Sequence, residues 1–192
     1  AGEFPDLNEQ ERLDFFRFYA EYVNGRVELL AGTGCIRYAD TLALSNAVYE
    51  LGYTPMVISP YYFEMDQEKL FVYYDRLAKD VKGDLYLYNF PPRTGHSIAP
   101  ETIRRLIDAN PNIIGLKDSV STPGHTNMVC RAVEGKPFTV YSGFDDQFLS
   151  NIANNGGGGC IGALSIIVPE IWSSLVKAAN EKDFDRTFAL YH

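Results

Sequence analysis

Two spacings of apolar residues alternate along this chain. Over 8–24, Leu13, Phe16, Tyr19 and Val23 fall three or four positions apart, which predicts a helix with one apolar face. A short continuous apolar run follows from Val27 to Ala31 and ends in Gly32-Thr33-Gly34. The same alternation then repeats. Helices are expected over 39–51, closed by Gly52, and over 67–81, 100–109, 126–133, 145–154, 169–180 and 183–191. Between them lie short apolar strands over 56–58, 85–88, 113–116, 138–141 and 160–163. Pro100 sits in the first turn of its helix, where the missing N–H costs nothing, and Asp145 and Asp146 are expected to cap the helix they open.

The order is therefore one helix, then six strands each followed by a helix. Short strands that are apolar throughout, set between helices, indicate a parallel sheet covered on both faces. Such a sheet either closes as a (β/α)8 barrel or stays open and doubly wound. Polar residues and glycines follow nearly every strand, at Thr33, Tyr62, Tyr88, Lys117, Gly143 and Gly162. A barrel gathers all such ends at one mouth, whereas an open sheet uses mainly its switch point, so the α/β reading favours the barrel. Six strands do not close an eight-stranded wall, and the sequence is expected to belong to a longer unit.

Composition narrows the field. The chain has 192 residues, 46% hydrophobic and 22% charged, with a formal net charge of −8. That charge disfavours a nucleic-acid footprint but leaves a small anionic substrate open, since local charge governs binding. The three cysteines, Cys35, Cys130 and Cys160, are far apart and form no C-x-x-C, which fits reduced thiols in a cytoplasmic protein. No apolar run reaches the roughly 20 residues of a membrane span, and the start of the chain shows no signal-peptide pattern. His96, His125 and His192 share no metal-ligand spacing with cysteine or carboxylate, so no metal is expected.

Lys117 is the residue most suggestive of chemistry. It follows the buried run Asn112-Ile113-Ile114-Gly115-Leu116. Desolvation in such a place lowers a lysine pKa and frees the amine to attack a ketone. Tyr88 ends the preceding strand, 29 positions earlier, about one β/α unit. Consecutive parallel strands commonly pair, so the phenol and amine are placed to face each other, and a phenol can relay protons. Read singly, each residue also fits a strand end pointing into water. Arg93, in Pro91-Pro92-Arg93-Thr94-Gly95, is suited to a carboxylate or to solvent. Gly156 to Gly159 is not followed by Gly-Lys-Ser/Thr, so it is no P-loop, and close backbone approach explains it better.

Tyr-Asn-Phe-Pro-Pro-Arg-Thr-Gly at 88–95, Gly-Leu-Lys-Asp at 115–118 and Tyr-Ser-Gly-Phe-Asp-Asp at 141–146 resemble the dihydrodipicolinate synthase / N-acetylneuraminate lyase family. The likeness covers essentially the whole chain, with Ala31-Gly32-Thr33-Gly34, Pro60-Tyr61-Tyr62 and 156–163 also in family order. It implies a (β/α)8 class I aldolase that handles pyruvate, without metal or organic cofactor, as a homodimer or homotetramer with no nucleic-acid or membrane partner. It further implies that Lys117 forms the imine, Tyr88 relays protons and Tyr62 reaches a neighbouring subunit. Arg93 would take a substrate carboxylate, while Gly143 and Ile161 would line the site through backbone groups. Gly2, at the end of the family's Gly-Thr-x-Gly-Glu loop, would help bind substrate.

By the same likeness the chain begins near the family's third strand and stops before most of its C-terminal helical segment. Residues 1–168 would be a partial catalytic barrel, and 169–192 its last helix and the start of that segment. The Gly-Glu-Phe start, Asn-Phe-Pro after Tyr88 and the Lys-Asp pair resemble 2-keto-3-deoxy sugar-acid aldolases, whereas Arg93-Thr94-Gly95 resembles the synthases. The expected activity is cleavage of a 2-keto-3-deoxy sugar acid to pyruvate and an aldehyde. The alternatives are dihydrodipicolinate synthase, condensing pyruvate with aspartate semialdehyde, and a non-catalytic homologue that binds 2-keto acids.

Overall fold

A computed structural model describes residues 3–192 of the chain. Gly2 lies outside the described residues. The first half runs α1 (Glu9–Val23), β1 (Leu29–Gly32), α2 (Tyr38–Tyr49), β2 (Tyr53–Ile58), α3 (Gln67–Asp80), β3 (Leu85–Asn89), α4 (Pro91–Thr94) and α5 (Pro100–Ala109). The second runs β4 (Ile113–Asp118), α6 (Pro123–Ala132), β5 (Thr139–Ser142), α7 (Phe148–Ile152), β6 (Gly157–Cys160), α8 (Leu164–Ile167), α9 (Pro169–Asn180) and α10 (Phe184–Tyr191). Local chemistry sets several boundaries. Asn8 and Glu11 exchange side-chain-to-backbone bonds of 2.8 and 3.0 Å in a capping box that starts α1. The Asp66 carboxylate accepts from the Lys69 N–H at 2.8 Å and starts α3.

All six strands are parallel and pair in chain order, β1 through β6. A doubly wound sheet reverses its order at a switch point. This sheet never reverses, and each strand neighbours its successor as along a barrel wall. The fold is thus a partial (β/α) barrel wall.

Strand alternation sorts the side chains into two faces. Val57, Leu87, Leu116 and Val140 stand side by side in register across four strands, and each is fully buried. They meet Leu70, Tyr74, Leu77, Ile103, Leu106 and Val129 from α3, α5 and α6 in the main core. The next row, Ile58, Tyr88, Lys117 and Tyr141, points to the opposite face. That opposite face is the interior of the curved wall, and it carries the candidate chemistry.

Two expectations need correction. The last strand is Gly157–Cys160 rather than 160–163. The glycine run is itself the strand, because a Cβ on Gly158 would lie 2.6 Å from the Tyr141 ring and one on Gly157 2.0 Å from the Asn151 carbonyl oxygen. Asp145 does not cap the helix it opens. Its carboxylate accepts from the N–H groups of Ala163 (3.0 Å) and Leu164 (3.3 Å), and so fixes the turn that enters α8.

Candidate active site

Tyr88 and Lys117 are register partners on adjacent strands. The Lys117 Nζ lies 4.7 Å from the centre of the Tyr88 ring. The Tyr88 ring also stacks at 5.7 Å against Phe90, two residues further along the chain. Phe90 is held in turn by the edge of Phe144 at 6.5 Å and the Arg93 guanidinium at 5.9 Å. An amine, a phenol and a phenyl ring are thus gathered at the strand ends.

Lys117 is only 8% exposed, and among the described residues its side-chain amine makes no hydrogen bond or ion pair. Burial pushes its amine below the usual lysine value of 10.5, and the neighbouring Cys160 and Asp145 only partly offset this. Burial raises the Tyr88 hydroxyl, against the Ser119 hydroxyl and the Arg93 charge, which pull it down. The Cys160 thiol is pushed up to about 12 by burial and by Asp145, so it stays protonated near neutrality and is no rival nucleophile.

The pair opens onto a cavity of about 580 Å³ that also touches Leu30, Gly32, Met56, Ile58 and Gly162. Arg12 borders the same cavity from α1 and is 7% exposed. Its Nη2 donates to the Gly32 carbonyl at 2.7 Å and its Nη1 to the Cys35 sulfur at 3.2 Å, while its Nε finds no partner among the described residues. This buried cation was not singled out from the sequence, where Gln10-Glu11-Arg12 reads as an ordinary helix surface.

The remaining expected residues are placed as follows. Arg93 is exposed and lines an adjoining cavity with Tyr61, Phe90 and Tyr88, which is common to both spaces. Gly143 and Ile161 sit beside the cavity rather than on its lining. The Gly143 N–H donates to the Asp118 carbonyl and the Ile161 N–H to the Ser142 carbonyl, at 2.9 and 2.8 Å. Gly143 is obligatory on space alone, since a Cβ there would fall 1.8 Å from the Ser119 hydroxyl. Tyr62 is not brought to the pair within this chain; it is 84% exposed, at φ 83°, against the edge of Phe63. Among the described residues, no group of three or more His, Cys, Asp or Glu is arranged to hold a metal ion. Nor is any helix there long and apolar enough to cross a membrane.

The site is therefore set in a β/α protein with a consecutive parallel wall, where a buried lysine amine without a partner among the described residues faces a tyrosine at the strand ends. A family model described as "Dihydrodipicolinate synthetase family" matches residues 1–192, and the chain belongs to that family. It is 35% identical over its whole length to a protein named putative 2-dehydro-3-deoxy-D-gluconate aldolase YagE of Escherichia coli K12, covering 64% of that protein. It is equally 35% identical, over 97% of its length, to a 4-hydroxy-tetrahydrodipicolinate synthase of Kosmotoga olearia, again covering 64%. Among solved structures it superposes on YagE in complex with pyruvate with a TM-score of 0.93, at 33% identity, over 99% of this chain and 64% of that one. On the dihydrodipicolinate synthase of Aquifex aeolicus the TM-score is 0.92 at 28% identity, again over 99% and 64%. The chain thus spans a little under two thirds of the length of these relatives.

Proposed function

We propose that the protein is a Schiff-base aldolase that cleaves a 2-keto-3-deoxy sugar acid to pyruvate and an aldehyde. The observation that carries this reading is the buried, unpaired Lys117 amine facing the Tyr88 ring across adjacent strand ends, on a cavity of substrate size. Neutral Lys117 attacks the keto carbon at C2, and Tyr88 passes the proton that lets the carbinolamine lose water. The resulting iminium draws in the electron pair of the C3–C4 bond as the C4 hydroxyl gives up its proton. Bond cleavage releases an aldehyde and leaves an enamine on Lys117. Protonation at C3 and hydrolysis release pyruvate and return the amine.

Arg93 lies one cavity away from Lys117, as a contact for a distal polar or anionic group would. Tyr62 enters the reading only through a second copy of the chain, which its exposed aromatic pair with Phe63 would meet. Gly143 and Ile161 contribute backbone walls beside the imine, and Gly2 is assigned to substrate by family likeness alone. The synthase reaction is kept as a second reading because Arg93-Thr94-Gly95 follows the catalytic strand and synthases are equally similar relatives.

Mass spectrometry of the full-length protein after pyruvate and borohydride tests the shared chemistry. One reduced adduct, on Lys117, is expected; a folded protein with no adduct would leave only 2-keto-acid binding. Pyruvate release from 2-keto-3-deoxy hexonates and pentonates, set against condensation of pyruvate with aspartate semialdehyde, separates the two readings.

A further inference from the structure

The outer face of the same strand ends holds a second cluster that the chemistry above does not use. Asn89 and Asp118 are register partners, each directly after a member of the reacting pair. Strand alternation turns their side chains away from the cavity, under α5 and α6. Asp118 is fully buried and has no lysine or arginine partner among the described residues. Its Oδ1 accepts from the Asn89 amide at 2.8 Å, and its Oδ2 meets the Thr126 hydroxyl at 2.7 Å and His125 Nδ1 at 2.9 Å. His125 Nε2 faces the Ile98 carbonyl at 3.1 Å. The Ser97 hydroxyl, which accepts from the Asn89 amide at 3.3 Å, stands farther from Nε2, at 3.5 Å. The two shorter contacts of the ring are thus both to acceptors, the arrangement that an imidazolium, with two N–H groups, satisfies in full. Asn89 closes the circuit, its Oδ1 accepting from the Ile98 N–H at 3.0 Å and its carbonyl from the Ser119 N–H at 2.8 Å.

We propose that Asn89, Asp118 and His125 form a positioning unit that holds Tyr88 and Lys117 at facing distance, with His125 acting as imidazolium. What the pair does rests on the Schiff-base reading; what holds it rests on this geometry. One carboxylate ties four pieces together: β3, β4, the first turns of α6 and, through His125 and Asn89, the segment entering α5. A shift of β3 against β4 takes the Asn89 donor from Oδ1 of that buried carboxylate, which is costlier than losing a surface bond. The charged groups around His125 are Asp118 from β4 and Glu101 from α5. Cys130, on its own helix α6, has its thiol pushed up to about 11 by burial and stays neutral.

The test uses the full-length protein and the variants Asp118→Asn, His125→Gln and Thr126→Val. Four quantities are read: kcat and KM, the rate of borohydride-trapped pyruvate adduct, the pH midpoint of Lys117 acetylation by acetic anhydride, and Tm. Asp118→Asn and His125→Gln are expected to lower kcat and trapping on the order of tenfold to a hundredfold, because displacement by an ångström costs that much. KM should change less than about threefold, and the Lys117 midpoint should move. Thr126→Val removes one donor without touching the charge and is expected to lose stability while keeping kcat near wild type. Wild-type kcat, trapping and labelling in the first two variants, with only Tm lowered, would overturn the proposal. So would an equal loss of kcat in all three that merely tracks stability. A wild-type protein that forms no adduct sinks the Schiff-base reading instead, and the labelling midpoints then still decide whether the unit positions Lys117.

Discussion

The Lys117 environment shifts its amine towards the neutral form that the proposed attack on a ketone requires. Its Nζ is buried against the Tyr88 ring with no carboxylate bonded to it, so the protonated form loses hydration without gaining a partner. The Tyr88 hydroxyl is the proton carrier in the proposed reaction, and removing it separates relay from packing. Tyr88→Phe keeps the ring that packs against Lys117 and Phe90, so Tm should stay within about a degree of wild type while kcat falls roughly a hundredfold to ten-thousandfold. Parallel thermal melts and steady-state assays check this; unchanged kcat would remove Tyr88 from the relay. That Lys117 and Tyr88 stand side by side was legible in the sequence because each ends an apolar run and they lie one β/α unit apart. Arg12 was not, since only its long-range bonds to Gly32 and Cys35 distinguish it from a surface arginine.

At the scale of elements, close approach between strands governs where glycine is required. A Cβ on Gly115 would stand 2.1 Å from the Tyr86 ring and 2.8 Å from the Thr139 carbonyl oxygen, and that backbone has little room to retreat. Gly115→Ala should therefore lower the urea midpoint by the equivalent of about 1–3 kcal/mol at constant m. A midpoint equal to wild type would mean that β4 can part from its neighbours. Long, strongly periodic helices such as α3 and α5 were readable from the sequence. The four-residue helices α4 and α8 show no period to read. β6 was placed late because glycine reads as a loop until its neighbours, Asn151 and Tyr141, are seen to fill the space of its missing side chains. Asp145 was read as a cap on its own helix, the usual local use, but its carboxylate serves a backbone turn 18 residues on.

For the molecule as a whole, the buried His125–Asp118 pair couples stability to pH. Burial alone would lower the His125 pKa, but the Asp118 hydrogen bond and charge outweigh it, and the folded value lies above the usual 6.5. The folded state then holds a proton that the unfolded chain releases. The stabilisation is full below about pH 6.5 and is lost as pH rises through the raised folded value. Melting the wild type and His125→Gln from pH 5 to 9 should show their Tm gap narrowing with rising pH; a constant gap would contradict a charged His125. The sequence by itself determined the alternation of strands and helices, the strand ends that carry Lys117 and Tyr88, and the family motifs, because apolar spacing and local residue chemistry act over a few positions. Only the tertiary structure decided that the strands pair in unbroken order. It also decided that Arg12 reaches the cavity, and that Asn89, Asp118 and His125 close around one buried charge. Those facts depend on which distant groups share a dry space, and a buried charge is tolerated only where such partners converge.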